Sequence, residues 1–168
     1  MLSYTASLIL LFLLASCQGD LLQPDLEPAE EVAVNSESTG EATELLRLVN
    51  SLRRSGCNCG GTWQPPVPAL QINQQLTLAA RRHAADMRRM NSMQHAGSNG
   101  SNVGARATAA GYSWRGVAEN IAWGYSSVSD VVTGWKNSPG HCRNLMSADY
   151  VDMGGARDGE FWAQVFAR

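Results

Sequence analysis

The chain has 168 residues, of which 44% are hydrophobic and 17% charged, with a net charge of −2. That composition excludes a low-complexity or fibrous chain. Once an N-terminal segment is set aside, roughly 125 residues remain, enough for one domain with a core of its own. The charge is unevenly spread: residues 1–44 carry eight acids and no Lys or Arg, whereas residues 45–168 carry all 13 bases and the remaining seven acids. The bases fall largely in pairs, Arg53-Arg54, Arg81-Arg82 and Arg88-Arg89, expected on outer helix faces. No aromatic residues interleave with them as a strand-binding groove requires, so no nucleic-acid partner is expected.

In chain order, the first feature is the apolar run Leu8 to Ala15. It is too short for a bilayer span, which needs about 20 residues, and fits the apolar core of a signal peptide, here residues 1–16. It closes in Leu14-Ala15-Ser16-Cys17, a pattern similar to the bacterial lipobox, in which small residues precede the cysteine whose thiol takes the lipid. Cys17 is therefore the expected lipidation site and the membrane the expected partner. Met1 to Ser7 lacks the usual Lys or Arg, and an ordinary secretory peptide is the alternative. Gln18 after the cysteine points to the outer membrane if the cell is Gram-negative. Residues 17–40, acidic and interrupted by Pro24 and Pro28, read as the lipidated cysteine and a disordered tether.

The domain is expected over residues 41–168. Ala42, Leu45, Leu46, Val49 and Leu52 follow helical spacing over Glu41–Ser55, with Ser38 as cap and Gly56 as stop. A Pro-rich loop, Trp63 to Pro68, follows. Asn73 caps a second helix running to Met90, with Leu76, Ala80, His83, Ala84 and Met87 on one stripe. His83 thus reads as a packed helix histidine. Ser101–Ala110 is a short helix, Val117–Ala122 a strand, and Ser127-x-x-Asp130 opens a third long helix with Trp135 inward, ended by Pro139-Gly140. Two terminal strands, Tyr150–Ala156 and Phe161–Ala167, are joined at an Asp158-Gly159 turn. Helices first and a hairpin last predict an α+β fold with helices over an antiparallel sheet.

Apart from Cys17, three cysteines remain: Cys57, Cys59 and Cys142. In an oxidising compartment they imply one disulfide and one spare thiol, Cys142 pairing with Cys59 or Cys57. Cys57-Asn58-Cys59 is a poor ring for a local bond, and as a metal motif it lacks a second pair. Among the acids, Glu119 stands out inside the apolar run Val117 to Ala122, where a carboxylate needs a partner. His95 and His141 both sit at expected loop starts just past helix ends.

These pieces resemble the CAP superfamily (cysteine-rich secretory proteins, antigen 5 and pathogenesis-related proteins), or SCP domain, in its bacterial branch. The matching segments are Leu78 to Met87, His95, Ala110 to Trp114, Glu119 to Ala122, Trp135 to Asn144 and Phe161 to Phe166, in family order. The resemblance implies an α-β-α sandwich with a central antiparallel sheet. It also implies a cleft where His95 and His141 bind a divalent metal, zinc being the expected ion, with Glu119 beside them. Asn144 and Gln164 fall in family motifs and are carried over as cleft residues. Two departures are visible: Ala118 replaces a glycine, and Ser138 falls where eukaryotic members place a second cleft glutamate. The expected function is an envelope-anchored lipoprotein whose His-Glu-His cleft binds a divalent metal, a lipid or other small hydrophobic molecule, or a wall-derived ligand. The alternative is a metal-dependent hydrolase or peptidase with Glu119, His95 and His141 as catalytic residues.

Overall fold

A computed structural model describes residues 36–168. The signal peptide, Cys17 and nearly all of the expected tether lie outside the described residues. Helix α1 (Ser36–Ser55) begins five residues ahead of the expected Glu41 start. A two-stranded hairpin, β1 (Cys57–Cys59) and β2 (Thr62–Gln64), occupies part of the stretch read as loop. Then come β3 (Gln71–Ile72), α2 (Gln74–Met90), α3 (Val103–Ala109) and β4 (Val117–Trp123). The chain ends with α4 (Val128–Asn137), α5 (Pro139–Met146), β5 (Asp152–Asp158) and β6 (Phe161–Ala167). No helix among the described residues is long and apolar enough to cross a membrane.

Strands β3, β5, β6 and β4 form the main sheet in that order, so β4 is an edge strand. The expected antiparallel sheet is corrected in one place: β3 pairs parallel with β5. Side chains alternate across β6 with strand parity. Trp162 and Phe166 point into a core shared with Leu45 and Val49 of α1, Trp135 of α4, and Cys142 and Leu145 of α5. Ala163, Val165 and Ala167 point into a second core with Leu76, Ala80, Ala84 and Met87 of α2 and Ala107 of α3. The result is helices over both sheet faces, an α-β-α sandwich.

Two adjacent glycines on β5 let the helices come close. A Cβ on Gly154 would stand 2.1 Å from the backbone nitrogen of Thr77 in α2, and one on Gly155 would stand 2.6 Å from Leu45 Cδ1 in α1. The β5–β6 register pairs Asp158 with Phe161, so the turn is Gly159-Glu160, one residue later than expected, with Gly159 at φ +59°.

Two readings need correction. Pro139-Gly140 does not simply end the third helix. It opens α5, with the proline at the first helical position, where its missing N–H costs nothing. His141 therefore rides on a helix rather than a loop. Arg53 is not on an outer face but fully buried. Its guanidinium donates to the carbonyls of Pro68 (2.7 Å), Leu145 (2.8 Å) and Ser147 (2.9 Å), and so ties three chain segments together.

Candidate functional site

Strand parity sorts the residues of β4 between the two layers. Glu119, in step with Ile121, faces α2 and α3, while Asn120, in step with Ala122, faces α4 and α5. Each then meets a different set of partners.

On the α2/α3 side, Glu119 is 6% exposed and both its oxygens are taken. Oε1 lies 2.8 Å from His95 Nδ1, and Oε2 accepts from Arg106 Nη2 at 2.7 Å. Arg106 is set by the Asn102 cap of α3, whose side chain accepts from the Ala105 N–H, and it also donates to the Ser101 carbonyl at 2.7 Å. His95 arrives on the loop after α2. Asn91 turns the chain out of that helix in the left-handed conformation at φ +47°. The loop is then pinned by Asp86, which accepts from the Ser98 N–H and hydroxyl at 2.7 Å each, with Arg89 bridging to both residues. Behind the carboxylate sits His83, fully buried, its Nε2 3.7 Å from Glu119 Oε1. That exceeds a hydrogen bond.

On the other side, Asn120 Nδ2 donates to Gln164 Oε1 and to the His141 carbonyl, at 3.3 Å each. Asn144 of α5 donates to Asn120 Oδ1 at 2.9 Å and to the Glu119 carbonyl at 3.4 Å. Trp135 Nε1 donates to the Ile121 carbonyl at 3.0 Å. These side chains cover backbone groups of the edge strand, which would otherwise invite pairing. Gln164 is fully buried within this network. Asn144 is half-buried and secures α5, with its His141, against β4.

His141 lines a cleft of about 280 Å³ at the edge of β4 with Met93, Ile121, Trp123, Tyr125 and Ser138. Residues from both faces of β4 line it, so the two layers meet around the strand edge rather than through the sheet. The structure thus joins Glu119 directly to His95, and brings His141 to the rim from the opposite layer. Among the described residues, the group of His, Cys, Asp or Glu whose ligand atoms all lie within 4.8 Å of one another is Cys57, Cys59 and Cys142, not the His-Glu-His trio.

The three histidines differ electrically. The hydrogen bond that His95 donates to Glu119 raises the pKa of His95, the Glu119 charge adding to it. Burial lowers that of His141, helped by the charge of His95. Burial also lowers that of His83, against the pull of Glu119. With the carboxylate accepting at Nδ1, His95 keeps its proton there, and Nε2 is the ring nitrogen left for a ligand. Sequence reasoning found Glu119 but missed Arg106 and the closeness of His83. The signal available was the need of a buried carboxylate for a cation.

Cys59 and Cys142 form the disulfide, and Cys57 is the spare thiol, which settles the pairing in favour of Cys59. The bond ties β1 to α5.

A family model described as the cysteine-rich secretory protein family (CAP) matches residues 46–160. Protein YkwD of Bacillus subtilis (strain 168) is 30% identical over 99 residues, covering 58% of this chain; the chain spans only 38% of that relative's length. The crystal structure of an extracellular protein containing an SCP domain from Bacillus anthracis superposes with a TM-score of 0.69. It shows 26% identity, over 78% of this chain and 41% of that one. An outer surface protein from Borrelia burgdorferi shares the fold at TM-score 0.62 and 20% identity, over 80% of this chain and 94% of its own. The sandwich and these matches agree, and the chain belongs to the cysteine-rich secretory protein (CAP) family.

Proposed function

We propose that this protein is an exported, envelope-anchored CAP-domain lipoprotein, whose cleft at the β4 edge binds a divalent metal, zinc by its donor set, together with a small hydrophobic or wall-derived ligand. The lipobox-like run ending at Cys17 supports the anchor. The extracellular and outer-surface relatives support export. The observation that carries the cleft reading is the double engagement of Glu119, by His95 Nδ1 on one oxygen and Arg106 Nη2 on the other.

A carboxylate held this way orients an imidazole, as carboxylates behind metal-bound histidines do. Glu119 fixes the His95 ring and its tautomer, so that Nε2 is the ligand atom. His141, its pKa lowered by burial, supplies a neutral imidazole at neutral pH. Two imidazoles fit a divalent ion of the zinc type but fall short of the three or four protein ligands of tight zinc sites. The ion would be held weakly and would offer Lewis acidity to an oxygen of the bound ligand. Met93, Trp123 and Tyr125 line the cleft beside His141 and supply apolar and aromatic contact for the rest of that ligand. Hydrolysis through a Glu119-activated water is disfavoured, because the oxygen taking the proton is already engaged by His95 or Arg106.

Zinc titration of the purified full chain by calorimetry tests the reading. One ion should bind per chain and raise the melting temperature, and His95→Ala and His141→Ala should each weaken binding at least about tenfold, as expected when one of two ligands is lost. Unchanged zinc affinity in both variants would overturn it.

A further inference from the structure

The three sulfurs outside the cleft form a second chemical cluster. Cys57 Sγ lies 3.7 Å from Cys142 Sγ and 4.0 Å from Cys59 Sγ, and all three side chains are buried. Cys57 and Cys59 are two residues apart on β1, with a buried-exposed-buried pattern, so strand alternation turns both toward α5. A free thiol thus sits in contact with the very disulfide its neighbour makes, against the same partner sulfur. The β1–β2 turn is Gly60-Gly61, both with positive φ. Those two residues leave the hairpin free of side chains at its turn, where Gly60 also packs on Pro139 at the start of α5.

We propose that Cys57, Cys59 and Cys142 form a disulfide-interchange site, in which the two cysteines of β1 compete for Cys142 and the bond passes between them within the folded protein. The step is a thiol–disulfide exchange. The Cys57 thiol gives up its proton, and the thiolate, after swinging from beside the Cys59–Cys142 bond into line with it, attacks Cys142 Sγ. The Cys57–Cys142 bond forms as the Cys59–Cys142 bond breaks. The electron pair leaves on Cys59 Sγ, which then takes a proton. No oxidant or reductant is consumed. Burial pushes the Cys57 thiol up, which keeps the thiolate scarce and makes the interchange slow. Its consequence reaches the cleft. Cys142 adjoins His141 in α5, so the exchange changes which residue of β1 anchors the helix that brings His141 to the β4 edge.

The full chain is incubated in a buffer of reduced and oxidised glutathione, quenched in acid, unfolded, and alkylated, and the label is located by tandem mass spectrometry. In the native sequence the label should appear on both Cys57 and Cys59, with about a tenth or more on Cys59 for two competing pairings of similar stability. Label on Cys57 alone, however long the incubation, overturns the proposal. The variant Cys59→Ser gives an independent reading. It should close a Cys57–Cys142 bond and leave neither of those two thiols free, whereas Cys57→Ser should keep the Cys59–Cys142 bond. Free or glutathione-capped Cys57 and Cys142 in folded Cys59→Ser likewise overturn the proposal. If that variant fails to fold, the label distribution in the native sequence decides.

Discussion

Each histidine's surroundings set the sign of its contribution to stability. His83 and His141 have pKa values lowered by burial, so in the unfolded chain, near the ordinary 6.5, they bind protons more readily than in the fold. Their contribution is present above about pH 6.5 and is lost as pH falls through their lowered values. His95 has the opposite sign. Its hydrogen bond to Glu119 raises its pKa, so its contribution is full below about pH 6.5 and is lost as pH rises through the raised value. Two groups against one, with His83 fully buried, give a net loss toward acid. The urea midpoint of the protein should therefore fall between pH 7 and pH 5. His83→Gln should flatten that fall, and His95→Ala should steepen it; equal slopes in all three proteins would show that these residues do not set the acid limb. The roles were unequally legible. Glu119 announced itself as a lone acid in an apolar strand. Arg106 did not, because nothing in its short helix marks one arginine as inward-facing until strand parity turns Glu119 toward α3.

At the scale of elements, long periodic stretches read well and short ones did not. Helix α2 runs from the Asn73 cap to Met90 as its apolar stripe requires, and β6 matches its expected span. The hairpin β1–β2 and strand β3 are two or three residues each, too short for a periodicity to show. Helix α5 was hidden because Pro139 was read as a stop, whereas a proline is equally at home at a helix start. The least visible device is Gly154-Gly155. Its meaning lies in the opposite faces of β5, each pressed against a different helix. Gly154 carries the sharper constraint, because the neighbour is the backbone of α2 rather than a side-chain tip. Gly154→Ala should cost about 3 kcal/mol, the upper part of the range for overpacked cores, and Gly155→Ala less, since Leu45 Cδ1 can rotate away. Urea unfolding of the two variants measures the difference. Equal and small losses would show that α2 can withdraw from the sheet freely.

For the molecule as a whole, the question is what the single disulfide does in a fold that already has two cores. The sandwich was legible at this scale, from helices preceding a terminal hairpin together with six motifs in order. The pairing of Cys142 was not, because both β1 cysteines lie on the face that meets it. The bond closes a sequence separation of 83 residues, for which loss of chain entropy in the unfolded state contributes about 4.5 kcal/mol. That is a large fraction of the stability of a domain this size, but the apolar clusters on both faces of the sheet do not depend on it. Reduction should therefore lower the melting temperature by on the order of 10–15 °C without unfolding the protein at 25 °C. Scanning calorimetry with and without a phosphine reductant, the thiols being blocked afterwards, reads both quantities. Loss of the cooperative transition on reduction would mean that the β1–α5 link is a condition of folding rather than a reinforcement of it. A shift of only a degree or two would mean that the unfolded chain is already held compact around these cysteines.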